Sequence, residues 1–147
     1  MKKPVRNFLI SLLVVAAVAG IAAFGTYLRD ATLESRTMTF TLMGLESRGL
    51  DSAAHYYRLA VEVPINRETN RAREHLIRTY WQLGKRGADV FQQRVYLQLA
   101  REQYQHIEAG DAPRGQVYVL HELVFSDNDS LCYDPANDRI FYDSTMR

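Results

Sequence analysis

The stretch VVAAVAGIAAFGTYLRD, residues 14–30, has two readings, and they describe different proteins. In one, Ala17-Val18-Ala19 followed by Gly20 is a signal-peptidase site and the rest of the chain is released. In the other, the apolar run is a membrane anchor that stays. Lys2, Lys3 and Arg6 precede it, which suits both. The run does not stop at the small residues, however: from Asn7 to Leu28 there is no charge. As a helix that segment is about 33 Å long, close to the roughly 30 Å of a hydrocarbon core and longer than the roughly 7–15 residues of a signal h-region. Tyr27 ahead of Arg29 and Asp30 has the form of an exit through the headgroups. No cysteine stands at the end of the run to take a lipid. The anchor is therefore the favoured reading.

The flanks set an orientation. Three positive charges and no negative one precede the run, whereas Arg29 and Asp30 cancel on its far side. The positive-inside rule then places residues 1–6 in the cytoplasm, 7–28 across the inner (plasma) membrane and the remainder outside the cytoplasm, in the periplasm of a Gram-negative cell. The exterior part is long enough for one small domain with a core. Within it we distinguish a helical domain, 29–112, and a C-terminal extension, 113–147.

Three of the 18 bases lie before the anchor and all 17 acids after it, so the exterior part is weakly acidic. That balance excludes nucleic acid as an obvious partner. The charge is nevertheless uneven, with an Arg-rich middle over 58–101 and an acidic tail over 115–147. These can pair with each other or leave the arginines for an anionic partner. Cys132 is the only cysteine. An intrachain disulfide is thus impossible, and packing or a partner must stabilise the domain.

In TMTFTLMGL, residues 37–45, Thr37, Thr39 and Thr41 alternate with Met38, Phe40 and Leu42, the period of a strand. Leu33, Met38, Leu42 and Leu45 also fit a helical stripe continuing from the anchor. Helix is preferred, since no tight turn and second strand follow. Asp51 or Ser52 can cap a helix bearing Ala54, Tyr57 and Val61, ended by Pro64. Thr69 or Asn70 can cap the next, where Ala72, Leu76, Tyr80 and Leu83 recur and Gly84 is the expected stop. A third helix is expected from about Ala88 to Ala109, with Phe91, Val95, Leu99, Ala100, Tyr104 and Ile107 on one apolar face. Residues 116–125 fit either period. Near the end, Asp134-Pro135-Ala136-Asn137-Asp138 between two β-prone runs predicts a turn and a short hairpin.

GLDSAAHYYRLAVEVP, with Gly49, Ala53, Tyr57, Ala60 and Pro64, resembles the second helix of a tetratricopeptide repeat. HLIRTYWQLG, with Leu76, Tyr80 and Gly84, is similar to a first helix, and LAREQYQHIEAGD, with Ala100 and Tyr104, to another second helix. The resemblance spans about residues 40–111. It departs from the family in the length between Gly84 and Ala100 and in lacking three full repeats. It implies stacked antiparallel helices, protein binding without a defined ligand site, and company with larger envelope complexes.

Catalytic motifs are missing from the sequence. His55, His75, His106 and His121 make no His-Glu-x-x-His pair, and scattered surface histidines are the favoured reading over a metal site formed by His55 and His75. Asp127, Asp129, Asp134 and Asp138 carry oxygen ligands but lack EF-hand spacing; turns need the same residues. Cys132 has no histidine near it in sequence and reads as a small buried hydrophobe. Neither a phosphate-binding glycine loop nor a Gly-x-Ser-x-Gly elbow occurs. The expectation is a protein that is not an enzyme and has no cofactor, metal or small-molecule substrate.

Two features point to binding instead. Ala16, Gly20 and Ala23 form a small-residue stripe in the anchor, suited to close helix packing. Tyr56 beside Tyr57, and Trp81 beside Tyr80, cannot all face one core; with Arg71, Arg78 and Arg94 they are candidates for a contact surface. The fold class expected is mainly α: one transmembrane helix, then a small antiparallel helical domain with a short hairpin or irregular tail. The leading function is a single-pass accessory or scaffold subunit whose partners are the lipid bilayer and other membrane-protein subunits. An anchored assembly factor that binds clients transiently is the first alternative, and a metal- or calcium-dependent sensor or enzyme the second.

Overall fold

The computed structural model of the chain describes residues 3–87, 89–107, 114–125, 131–134, 137 and 139–142. It is mainly helical, with five helices among those residues: α1 (Lys3–Glu46), α2 (Leu50–Glu62), α3 (Thr69–Arg86), α4 (Val90–Gln105) and α5 (Arg114–Phe125). Two short strands follow, β1 (Leu131–Asp134) and β2 (Arg139–Tyr142), paired antiparallel with Leu131 opposite Tyr142 and Asp134 opposite Arg139. Asn137 is the one described residue between them; the remainder of the expected turn, including Asp138, lies outside the described residues.

α1 does not break where the apolar run ends. It continues as one helix of 44 residues, about 66 Å long. The threonines that suggested a strand sit comfortably in it because their hydroxyls turn inward: Thr39 Oγ1 donates to Ser35 O, and Thr41 Oγ1 to Thr37 O, both at 2.8 Å. Thr26, Thr32 and Ser47 make the same kind of bond. A β-branched residue loses little in a helix when its hydroxyl finds the carbonyl one turn back.

α2 returns antiparallel along the last turns of α1. Gly44 faces the ring of Tyr57, where a Cβ would lie 2.7 Å from Tyr57 Cδ1. Thr37 meets Asn66 just past the end of α2, and Glu34 meets Arg67. The α1 partners thus fall in number as those of α2 rise. Thr37, Thr41 and Gly44 are buried on the side of α1 that faces α2.

α3 is the central helix. Eleven of its residues are buried, from Thr69 to Gly84, because α1, α2, α4 and α5 all pack against it. The core joins Ala53, Ala54 and Tyr57 of α2 to Leu76, Ile77, Tyr80 and Trp81 of α3, Ala100 of α4, and Leu120, Leu123 and Val124 of α5. α4 runs antiparallel to α3: Tyr80 lies beside Tyr96, and Arg73 Nη1 donates to His106 O at 2.9 Å. α5 is tied to α4 by Arg101 Nε donating to Val124 O at 2.7 Å, and by edge contacts of Tyr104 with His121 and Phe125.

Several sequence expectations are corrected at this level. α3 passes through Gly84 and ends at Arg86, with Gly87 as its C-cap; Gly84 faces α4, where an added Cβ would lie 3.4 Å from Tyr96 Cβ, an ordinary contact. α4 begins at Val90, capped by Asp89, whose carboxylate accepts from Phe91 N–H at 3.0 Å. The N-cap of α2 is Gly49 rather than Asp51 or Ser52. Neither Thr69 nor Asn70 caps α3. Glu68 is the N-cap and makes no side-chain cap bond; just ahead of the helix, Asn66 Oδ1 accepts from Glu68 N–H, while Thr69 Oγ1 accepts from Asn66 N–H, both at 2.9 Å. This is the reciprocal arrangement of a capping box, set one turn ahead of the helix proper.

Candidate functional site

Ala16, Gly20 and Ala23 all lie on the exposed apolar half of α1. Their spacing of four and three puts them on one side of the helix, and a Cβ at Gly20 would meet nothing within 4 Å. This part of α1 is long and apolar enough to cross a membrane, and it is exposed along its length.

The aromatic and arginine candidates do not come together as one surface. Trp81 is only 9% exposed and belongs to the core, with Lys85 Nζ 5.5 Å above its ring. Arg78 is 7% exposed and pairs with Glu74 at 3.8 Å across one helical turn. Adjacent residues divide between core and surface only on a helix with a single buried face. α3 is covered on several sides, so neighbouring Tyr80 and Trp81 are both inside. Burial of Arg78 with Glu74 follows from the same position, since a charge enclosed there needs its partner. Trp81 and Arg78 are therefore removed from the accessible contact surface.

The other three remain accessible in different places. Tyr56 is half-buried, its ring edge-on to His55 at 5.5 Å. Arg71 is exposed and lies 3.8 Å from Glu68. Arg94 is exposed near the start of α4, where the expected apolar face is not buried as a whole. Val90, Phe91 and Val95 are 61%, 71% and 41% exposed, and only Ala100 of α4 is fully enclosed. Val90, Phe91, Arg94 and Val95 thus form an apolar patch with one cation, at the end of the domain remote from the start of α3. The sequence held the signal for it: Asp89 caps α4 directly before Val90 and Phe91, and first-turn side chains overhang the neighbouring helix end less than mid-helix ones do.

At the opposite end a cleft of about 300 Å³ opens between Ile65, Asn70, Arg73 and Ile107. Arg73 Nη1 bridges Asn70 Oδ1 and His106 O there, which ties α3 to the end of α4. Ile65 is 81% exposed. Asn66 and Gly44 carry no signal in the sequence, because each acts through a contact between segments distant in the chain, with Thr37 and Tyr57 respectively.

Chemistry is sparse at these places. His75 stacks on Tyr57 with ring centroids 5.3 Å apart, and His55 lies against Tyr56, so each histidine is engaged with an aromatic ring. Among the described residues no three His, Cys, Asp or Glu side chains converge on a point that could hold a metal ion. Asp127, Asp129 and Asp138 are outside the described residues; the Asp134 carboxylate accepts from Asn137 Nδ2 at 2.7 Å. Burial pushes the Tyr57 hydroxyl above its ordinary pKa. Tyr80 moves the same way, chiefly through burial. No family model, curated protein or solved structure matches the chain.

Proposed function

We propose that the chain is a single-pass subunit that attaches an extracytoplasmic helical domain to a larger membrane complex. The observation that carries this is the two-part character of α1. Its first half is apolar and wholly uncovered, yet the same unbroken helix is gripped by α2 over its last turns. In water that uncovered half is strongly unfavourable; in a bilayer it is at home. With residues 1–6 in the cytoplasm, the domain stands in the periplasm or its equivalent. α2, α3 and α4 then serve as a stack of antiparallel helices in the tetratricopeptide manner, and β1 and β2 close as a hairpin at its edge.

A stripe of α1 that shares Gly20 with the Ala16, Gly20 and Ala23 set supports a partner helix. Gly20, Phe24, Tyr27, Ala31, Met38, Leu42 and Leu45 recur at steps of three, four and seven, so a single stripe runs from the apolar half into the domain. Met38, Leu42 and Leu45 are 43%, 54% and 51% exposed, away from the face that α2 covers. A helix from another subunit lying along this stripe would bury both stretches, using close approach at Gly20 within the bilayer. The patch at Phe91 and Arg94 is a second contact, outside it.

Purification in mild detergent tests the proposal. The expected result is stable company of other membrane polypeptides, weakened by Gly20→Leu, which fills open space and leaves the domain untouched. A lone monomer from the native source would contradict it.

A further inference from the structure

The connection between α2 and α3 is held at a fixed height on α1. Asn66 Nδ2 donates to Thr37 Oγ1 at 2.8 Å and to Pro64 O at 2.9 Å, and Arg67 Nε lies 3.8 Å from Glu34 Oε1. Because α2 runs back along α1, this connection is the part of the α1–α2 pair nearest the apolar half of α1. Glu34 is six residues beyond Leu28 and Thr37 nine, which puts the loop roughly 9–14 Å along the helix from the end of the apolar run. Headgroups extend a bilayer from about 30 Å to about 40–45 Å in thickness, several ångströms on each side. A tilt of about 20°, ordinary for a membrane helix, lowers whatever projects on the side towards which the helix leans.

What projects there is unusual for a surface loop. At 81% exposed, Ile65 is the most exposed large apolar side chain among the described residues, ahead of every one in the apolar half of α1. Exposed Pro64 precedes it. Arg67 follows, its side chain 91% exposed, and Arg71 is 65% exposed one turn further on. An exposed pair such as Arg67 with Glu34 contributes little, so the guanidinium can turn to a phosphate instead.

We infer that Ile65 rests in the headgroup layer of the bilayer that α1 crosses, with Arg67 on a phospholipid phosphate, as a second attachment of the domain to the membrane. This rests on the reading of α1 as an anchor. An apolar tip flanked by arginine suits the interface, where the apolar group reaches the acyl boundary and the cation stays at the phosphates. Two attachments hold the domain in one orientation, and that orientation directs the patch at Phe91 and Arg94 away from the bilayer.

The test uses the full chain with Cys132→Ser, reconstituted in nanodiscs of phosphatidylethanolamine and phosphatidylglycerol. Single cysteines replace Val18, Ser52 or Pro64 in turn and carry an environment-sensitive fluorophore; all three sites are exposed, and Ile65 stays in place beside the third. Quenching by nitroxide lipids is then read at each. The expected result is strong quenching at position 18, quenching at 64 severalfold above that at 52, and loss of the difference between 64 and 52 when Ile65→Ser is combined with Arg67→Glu and Arg71→Glu. Quenching at 18 with 64 no different from 52, or a difference that survives those three substitutions, would overturn the second attachment and leave the anchor standing. Absence of quenching at 18 would overturn the anchor, and the second attachment with it.

Discussion

Gly44 and Tyr57 show how one residue sets the meeting of two helices. Tyr57 is 4% exposed and stacked on His75, so its ring has no room to retreat from a methyl group at position 44. Overpacking of this kind costs about 1–3 kcal/mol, while alanine in place of glycine returns up to about 1 kcal/mol of helix propensity. Gly44→Ala should therefore lower stability by about 1–2 kcal/mol in urea titration, and Gly20→Ala, in open space, should not. Tyr57 also makes a prediction in pH. Burial raises its folded pKa above the ordinary 10.0, so the unfolded chain releases the proton first. The stabilising contribution is complete below pH 10 and falls as pH rises from there through the folded pKa. Tyr57→Phe should flatten the alkaline loss of melting temperature, with the Tyr80 contribution remaining; an unchanged alkaline slope would speak against a buried Tyr57 hydroxyl.

Among the elements, the α2–α3 connection depends most on one side chain. Asn66 accepts from the N–H of Glu68, the N-cap residue of α3, and ties the loop to Thr37 of α1. Losing a side-chain bond of this kind at a helix start costs about 0.5–2 kcal/mol, and Asn66→Ala should reach the upper part of that range because the tie to α1 goes too. Asn66→Asp keeps the accepting oxygen and loses the donor, so it should fall between the two in a melting comparison. Helix content was largely legible in the sequence, since apolar spacing of three and four marks α2 and α3 plainly. Boundaries were less so: Gly84 looks like a stop, yet α3 continues to Arg86 and Gly87 is the C-cap. The threonine alternation over 37–41 imitated a strand because residue period ignores the back-bonding that makes those side chains acceptable in α1.

For the whole molecule, the legible part was a mainly helical chain with one long apolar helix near its N-terminus, and the illegible part was which faces the helices cover. Trp81 and Phe91 exchanged places between expectation and structure. A residue next to a core position goes inside when its helix is central, as in α3, and a residue in an apolar stripe stays outside when its helix begins at the rim, as in α4. Neither follows from periodicity in one segment, because both depend on how many neighbours a helix acquires. The central claim is that α1 remains in the chain and crosses the bilayer with the domain on the outer side. Labelling of intact cells with a small membrane-impermeant maleimide tests it most directly, with a single cysteine at Lys3 or Ser52 in the Cys132→Ser background. The account predicts that Ser52→Cys reacts at once and that Lys3→Cys reacts only after the inner membrane is permeabilised. A Lys3→Cys chain that never takes label, because mature protein begins near Gly20, or a Ser52→Cys site protected until permeabilisation, would contradict it.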